Sequence, residues 1–347
     1  MVGGGTPDTT VPSLWNGDIQ WFTPTEVGHQ KYVSKSARTI TQLGLQKSSA
    51  KKLPAGSILL SSRATIGECS IAQRECTTNP GFQNLIPKND TNNEFLYYLA
   101  QTKKHHFIKY ASGSTFLEIS NSEIRKTKCT VPGTEEQTQI AAFLSALDDR
   151  ISVQNKIISK YETLIKGLCD MIFPSIEGSI LPLKAIVSIE KGQQINGMSL
   201  AKTGKYYYLN GGIAPSGYID DYNTSEETIS ISEGGNSCGF VSYNLQKFWS
   251  GGHCYTLKIM AEQCRSKYLF FYLKYKEKDI MQLRVGSGLP NIQKKSLENF
   301  NVKLPNYKKQ CFVERVFEVI TAKKEIENAL LERFQSQKKF LLSKMFI

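Results

Sequence analysis

Two clusters of side chains carry the chemistry this sequence offers, and both suit a polyanion. In the first, Lys31, Ser34, Lys35 and Arg38 are interleaved with Tyr32, and Ser61, Ser62 and Arg63 fall where a β-rich run meets a turn. In the second, Lys205 with Tyr206, Tyr207 and Asn210, followed by Ser232, Asn236 and Lys247, has the same character. Arginine and lysine reach guanine edges, asparagine and glutamine reach adenine, and hydroxyl and ammonium groups hold phosphates. Arg63 is the foremost single candidate. Each of these residues also reads as solvated surface or turn chemistry, and Arg63 reads also as a brace of the strand-to-turn corner.

Other chemistries find no constellation. The eight cysteines (Cys69, Cys76, Cys129, Cys169, Cys238, Cys254, Cys264 and Cys311) form no Cys-x-x-Cys and have no histidine at ligand spacing, so they are read as reduced structural thiols and no metal is expected. His29, His105, His106 and His253 lack a carboxylate or serine partner that the sequence can place, and packing or surface roles are their default. Gly211-Gly212, Gly234-Gly235 and Gly251-Gly252 lack both the following Lys-Ser/Thr of a phosphate loop and a Gly-x-Gly-x-x-Gly frame, which leaves them as turns. No catalytic residue and no cofactor of the chain's own are expected.

The elements that must position these clusters follow from length and repetition. A chain of 347 residues exceeds one ordinary core, and its 40% hydrophobic residues are ample for two. Its 43 Lys+Arg against 31 Asp+Glu leave a net charge of +12, which favours nucleic acid before a membrane surface. No apolar run approaches the ~20 residues of a membrane helix, and Met1-Val2-Gly3-Gly4-Gly5 has no signal character, so a cytoplasmic protein with no membrane partner is expected.

The chain is written twice. Gly113-Ser114 recurs as Gly286-Ser287, and this offset (286 − 113 = 173) also carries Leu96 to Leu269, Ile119 to Ile292, Pro132 to Pro305, Gln137 to Gln310, Asn155 to Asn328, Leu168 to Leu341 and Phe173 to Phe346. Two apolar helices align in any register. That does not explain Gly-Ser, Pro and Phe at one offset.

Each repeat has a strand- and turn-rich front followed by a long helix. The expected organisation is an α/β domain over 1–134, a helix over 135–173, a second α/β domain over 174–308 and a helix over 309–347. Strands are expected at 19–23 and 57–62, then at Tyr206–Leu209, Thr228–Ser232 and Cys254–Ile259. Aromatic-rich helices are expected at 94–110 and 267–283, and the Pro/Gly break over 173–179 separates the repeats. The first long helix has Thr134 as N-cap candidate and a seam of Ile140, Leu144, Leu147, Ile151, Ile158, Tyr161, Ile165, Leu168 and Ile172 in alternating steps of four and three, with Gln154 its one polar occupant. The second places Val313, Phe317, Ile320, Leu331, Phe334, Leu341 and Met345 on its seam, interrupted by Lys324, Glu327 and Lys338. An antiparallel pair needs only a short connector after Phe173. At about 1.5 Å per residue it would span roughly 55 Å and set the spacing of two DNA-reading heads. Periodicity alone fits equally a helical hairpin that only stabilises or dimerises the protein.

Nearly the whole chain resembles the specificity subunits of Type I restriction-modification systems. Gly4-Gly5-Thr6-Pro7 with Trp15-Asn16-Gly17-Asp18-Ile19-Gln20-Trp21 resembles the start of a target-recognition domain of that family. Arg38-Thr39-Ile40-Thr41, Gly44-Leu45, Ser48-Ser49-Ala50-Lys51, the run Ser61 to Gly67, Thr78-Asn79 and Gly81-Phe82 continue the pattern, and Gln137, Ile140 and Ala141 resemble the start of its central spacer helix. The resemblance implies an α/β fold of two target-recognition domains separated by two long antiparallel coiled-coil helices in a pseudo-twofold internal repeat. It implies that each domain reads one half of a bipartite site in double-stranded DNA. It implies assembly with two modification (methyltransferase) subunits and with restriction subunits, which would hold the S-adenosylmethionine, ATP and Mg. Two features depart from the pattern. The lead-in over 181–191 has no counterpart before Gly3, so the first repeat is expected to lack its first strand and its start to be truncated. Asn79-Pro80-Gly81-Phe82 has Pro where Gln belongs, and Gly81 breaks its likeness to the Asn-Pro-Pro-Tyr of adenine methyltransferases.

Two rival functions are weighed against DNA recognition without catalysis. A self-sufficient nuclease or methyltransferase needs an acidic metal constellation, a P-loop or an intact adenine-methylation motif. A coiled-coil scaffold would need neither two diverged fronts nor the basic excess.

Overall fold

A computed structural model describes residues 1–113, 116–197, 200–286 and 288–346. The chain divides into two compact units, one made of Met1–Asn155 with Ala329–Ile347 and the other of Lys156–Asn328. Each unit therefore owns one front domain, the beginning of one long helix and the end of the other.

The helices run over Thr134–Ser175 and Tyr307–Met345. The first extends through Pro174, since a proline in the last turn forfeits only one hydrogen bond at an end where several carbonyls are already free. Every expected seam position is buried or half-buried, from Leu144 and Val313, both sealed, to Ile151 and Ile320, half-covered. Within each unit the two helix segments run antiparallel. In unit 1, Asp148 pairs with Lys338 at 2.6 Å, and the Arg150 guanidinium lies 6.0 Å from the Phe334 ring. In unit 2, Glu162 pairs with Lys324 at 2.8 Å, and Phe173 meets Phe317. Two of the polar interruptions of the second seam are thus occupied by ion pairs with the facing helix.

The front of unit 1 holds a three-stranded sheet of Arg38–Ile40, Trp15–Phe22 and Cys76–Thr78, and another of Tyr32–Val33, Cys69–Ala72 and Ile58–Leu60. The front of unit 2 holds a four-stranded sheet in the order Val187–Lys191, Cys254–Ile259, Thr228–Ser232, Val241–Asn244, and a three-stranded one of Gly217–Ile219, Tyr206–Leu209 and Phe248–Ser250. In the first front two pairs are parallel, Trp15–Phe22 with Cys76–Thr78 and Tyr32–Val33 with Cys69–Ala72, and in the second front Tyr206–Leu209 runs parallel to Phe248–Ser250. Parallel neighbours cannot be joined by a tight turn, so the intervening chain is free to form loops at the strand ends. Among the described residues, unit 1 has no counterpart of the strand Ser179–Pro182, which in unit 2 pairs with Asn301–Leu304.

The aromatic helices are each broken in two, Asn93–Thr102 from Lys104–Lys109 and Ser266–Tyr275 from Glu277–Met281. The breaks fall at Lys103 and Lys276, again at the repeat offset, where ψ rises to 2° and 10°. The first halves carry the buried Tyr98 and Tyr268.

A buried glutamine fixes each front to its long helix. Gln137 accepts from the Asn92 backbone N–H (2.9 Å) and donates to the carbonyls of Asp90 (3.3 Å) and Pro132 (2.9 Å). Gln310 accepts from the Arg265 N–H (2.9 Å) and donates to Gln263 and Pro305 (2.8 Å each). Three backbone groups at one helix start and beside another are satisfied by one amide, which is why the residue recurs. The far ends of the helices repeat as well. Phe173 packs on Tyr268 in unit 2, and Phe346 packs on Phe95 in unit 1.

Candidate nucleic-acid interface

Two adjacent loops are built alike in the two units. The run from Ser61 to Gly67 corresponds to that from Ser232 to Gly239. Ser61 N–H donates to Glu68 and Gly67 N–H to Ser61; Ser232 N–H donates to Phe240 and Gly239 N–H to Ser232, all at 2.8–2.9 Å. Gly67 and Gly239 take φ of +83° and +91°, and a Cβ at either would lie 2.8 Å from a neighbouring side chain, so both the conformation and the space require glycine.

The second loop is a short hairpin welded to the first. In unit 1, Ser112 pairs with Glu118 around Gly113; in unit 2, Arg284–Val285 pairs with Asn291–Ile292 around Gly286. Ser114, Thr115 and Ser287 lie outside the described residues. Ile119 N–H donates to the Ser62 carbonyl (3.0 Å), and Ile292 N–H to that of Glu233 (2.8 Å). Bridges Arg63 to Glu118 and Gly234 to Asn291 complete the same join. The scaffold is shared, whereas the exposed side chains differ: Arg63 stands where unit 2 has Gly234.

The candidates from the sequence divide by burial. Arg63 is half-exposed and its guanidinium is held by Glu118, with Nε at 3.0 Å. Arg63 therefore braces the loop against Glu118 while its side chain stays half-exposed. Asn236 is exposed on the corresponding loop of unit 2. Ser61, Ser62 and Ser232 are sealed in the interior, where the Ser61 and Ser232 hydroxyls bond the carbonyls of Arg63 and Gly211. They shape the loops and are out of reach of a ligand.

Lys35 and Lys205 are exposed, and the Arg38 guanidinium lies over the Trp15 ring at 3.6 Å with the Trp21 ring at 5.5 Å. Arg38 is exposed and the two indoles beneath it are buried, so its charge is held at the surface by the rings, where it can meet a base or a phosphate. Lys31 instead points inward. It pairs with Glu94 at 3.0 Å, reaches Ser145 on the long helix and lies 5.0 Å from the Tyr98 ring. Burial opposes the Glu94 charge, yet hydrogen bonds from Ser145, Tyr32 and Lys31 outweigh it and hold the carboxyl below its ordinary range. In unit 2, Tyr207 bonds Asn244 at 2.9 Å, Asn210 accepts from the His253 N–H at 3.1 Å, and Lys247 caps the Tyr222 ring at 4.7 Å.

Sequence reasoning missed Trp15 as a platform, Glu118 as the partner of Arg63, and the hairpin tips. The Gly4 motif has its reason in the backbone. A Cβ on Gly4 would lie 1.9 Å from the Asn79 carbonyl, and one on Gly192 2.3 Å from that of Gly251, at corresponding places. Gly192 follows the strand Val187–Lys191, which pairs with Cys254–Ile259 much as Val2–Gly3 pairs with Gln83–Asn84. Among the described residues no group of three or more His, Cys, Asp or Glu is placed to hold a metal ion, and no helix is long and apolar enough to cross a membrane.

Comparison with known proteins follows the same two-part division. The family described as "Type I restriction modification DNA specificity domain" matches residues 2–163 and again 180–335. The specificity subunit of the Type I restriction enzyme MjaIX of Methanocaldococcus jannaschii is 40% identical over 167 residues, 46% of this chain and 39% of that protein. The EcoprrI specificity subunit of Escherichia coli is 22% identical over 342 residues, 91% of this chain and 83% of that protein. The chain spans about two fifths of the length of the first curated relatives it matches. Its fold is similar to that of a solved Type I restriction-modification S subunit from M. genitalium, with a TM-score of 0.68 at 19% identity over 99% of this chain and 96% of that one.

Proposed function

Because the chain belongs to the Type I restriction modification DNA specificity family, we propose that it binds a bipartite, asymmetric site in double-stranded DNA and performs no catalysis of its own. The observation that carries this reading is the repeated loop pair, whose backbone hydrogen bonds coincide in the two units while its exposed side chains differ. One scaffold bearing two sets of side chains suits two different half-sites. The net charge of +12 supplies the attraction to phosphates that any such reader needs.

On this reading two modification subunits and the restriction subunits assemble on the chain in the cytoplasm. S-adenosylmethionine, ATP and Mg bind to those partners, and the chain itself holds no cofactor.

The test begins with methylome sequencing of the source cell, which should reveal one split motif with unlike halves. A duplex carrying it should be bound in preference to a duplex with either half scrambled, and the purified chain with S-adenosylmethionine alone should methylate nothing. Turnover without a partner would overturn the reading. Arg63→Ala should weaken binding by about 2 kcal/mol and relax one half-site only. Equal loss on specific and scrambled DNA would reduce Arg63 to a phosphate contact. Deleting one heptad from each long helix should change the number of base pairs tolerated between the halves and leave both halves as they were; an altered half-site would remove the spacing role.

A further inference from the structure

The hairpin tips expose apolar side chains that no other part of their unit covers. Phe116 is 74% exposed and Leu289 is 85% exposed, the highest values among the large apolar residues described. They stand at the repeat offset, each three residues beyond the left-handed glycine that opens its turn, Gly113 at φ +138° and Gly286 at φ +97°. Leu117, half-exposed, and Pro290 follow them. Water contact at these positions opposes folding of neither unit, but it gains nothing for the unit either, and it occurs twice at the same place.

We propose that Phe116 and Leu289 are wedges that enter a groove of the DNA and part-unstack one base step in each half-site. This rests on the DNA reading above. Three observations favour DNA over a protein partner. Each tip carries one or two exposed apolar side chains, Phe116 with Leu117 and Leu289 before Pro290, rather than a broad apolar face, the form in which Phe, Leu and Pro intrude between bases. Each has a basic neighbour: Lys104, ion-paired with Glu68, lines the same open cleft as Phe116 and Leu117, and exposed Arg284 stands on the Leu289 hairpin itself. The tips also differ, aromatic in one unit and aliphatic in the other, whereas a protein partner present in two copies would meet two like surfaces. The weld to Arg63 in unit 1 and to Gly234 beside Asn236 in unit 2 holds each wedge next to the loop read as contacting base edges.

The experiment uses the full chain with its modification subunits and the duplex identified by the methylome, carrying 2-aminopurine at each position in turn. Binding by the unaltered chain should raise the fluorescence at one step in each half-site. Phe116→Ala should abolish the rise in one half-site and weaken binding about tenfold, and Leu289→Ala should do the same in the other half alone. Phe116→Leu and Leu289→Phe, which keep an apolar tip, should retain both rise and affinity. Binding without any rise, or alanine variants with unchanged rise and affinity, would overturn the wedge. Loss of binding in the leucine and phenylalanine variants as well would mean that the hairpin serves the fold and not the DNA. Failure of the unaltered chain to bind the duplex at all would instead refute the DNA reading.

Discussion

Truncating Phe173 to alanine should remove about 4 kcal/mol of stability from unit 2 and leave unit 1 unaffected. The ring is 1% exposed and lies 5.0 Å from Tyr275, 5.5 Å from Tyr272 and 5.7 Å from Phe317, with Tyr268 at 6.3 Å. Its loss opens a hole at the centre of an aromatic cluster, and stacked or edge-on aromatic pairs add to the area buried. Amide hydrogen exchange would locate the effect. Protection in Thr228–Ser232 and Cys254–Ile259 should fall about a thousandfold, while that in Ile58–Leu60 and Cys69–Ala72 holds. Equal loss in both sets would show that the two units do not fold as separate bodies.

Gln310→Ala should destabilise the same unit by about 3 kcal/mol, and Gln137→Ala should do so in unit 1 by slightly less. Gln310 is fully buried, and its amide is the partner of three backbone groups at 2.8–2.9 Å. Gln137 makes the same three contacts, with the Asp90 bond longer at 3.3 Å. Removing either amide strands polar groups that water reaches poorly. Gln310→Glu sharpens the measurement, because it keeps the acceptor and takes away both donors, and should be no milder than alanine. Denaturant midpoints would decide it; a shift below 1 kcal/mol for Gln310→Ala would mean that the backbone groups find other partners.

The repeat, the antiparallel seam and three strands of the second front were legible because each is a matter of spacing along the chain. Val313 and Phe317 lie on the seam where steps of four and three put them, and both are buried. The role of Gln137 and Gln310 was not legible. The offset marks them as equivalent, but two of the three partners of each lie 45 to 47 residues back, and only folding brings Asn92 and Arg265 beside them. The aromatic helices read as single elements because apolar periodicity carries across Lys103 and Lys276, where the backbone turns without a Gly or Pro to mark it.

The DNA-facing candidates were the least legible, since a lysine or serine has the same letter inside and out. Lys31 and Arg38 stand seven apart in one basic stretch, yet Lys31 turns to Glu94 and Arg38 lies on Trp15. Ser61 and Ser62 share a run with Arg63, yet both are sealed and only Arg63 emerges, because the chain has already left the strand Ile58–Leu60 and the alternation of a strand no longer sets which side chain faces out. The hairpin tips carry no signal in composition. Their only trace was the Gly-Ser pair that precedes them.

The division of the chain has a consequence for its synthesis. Unit 1 packs Leu341, Leu342, Met345 and Phe346 against a core made of Ile58, Tyr97, Leu144 and their neighbours, whereas unit 2 draws on an unbroken stretch ending at Asn328. A ribosome moving from the first residue to the last thus delivers everything the second domain needs before it delivers what the first domain still lacks. Of the two units, the one begun earlier is completed later. During that interval Phe95 waits without Phe346, and a nascent chain arrested near residue 330 would carry a finished second domain and an open first one.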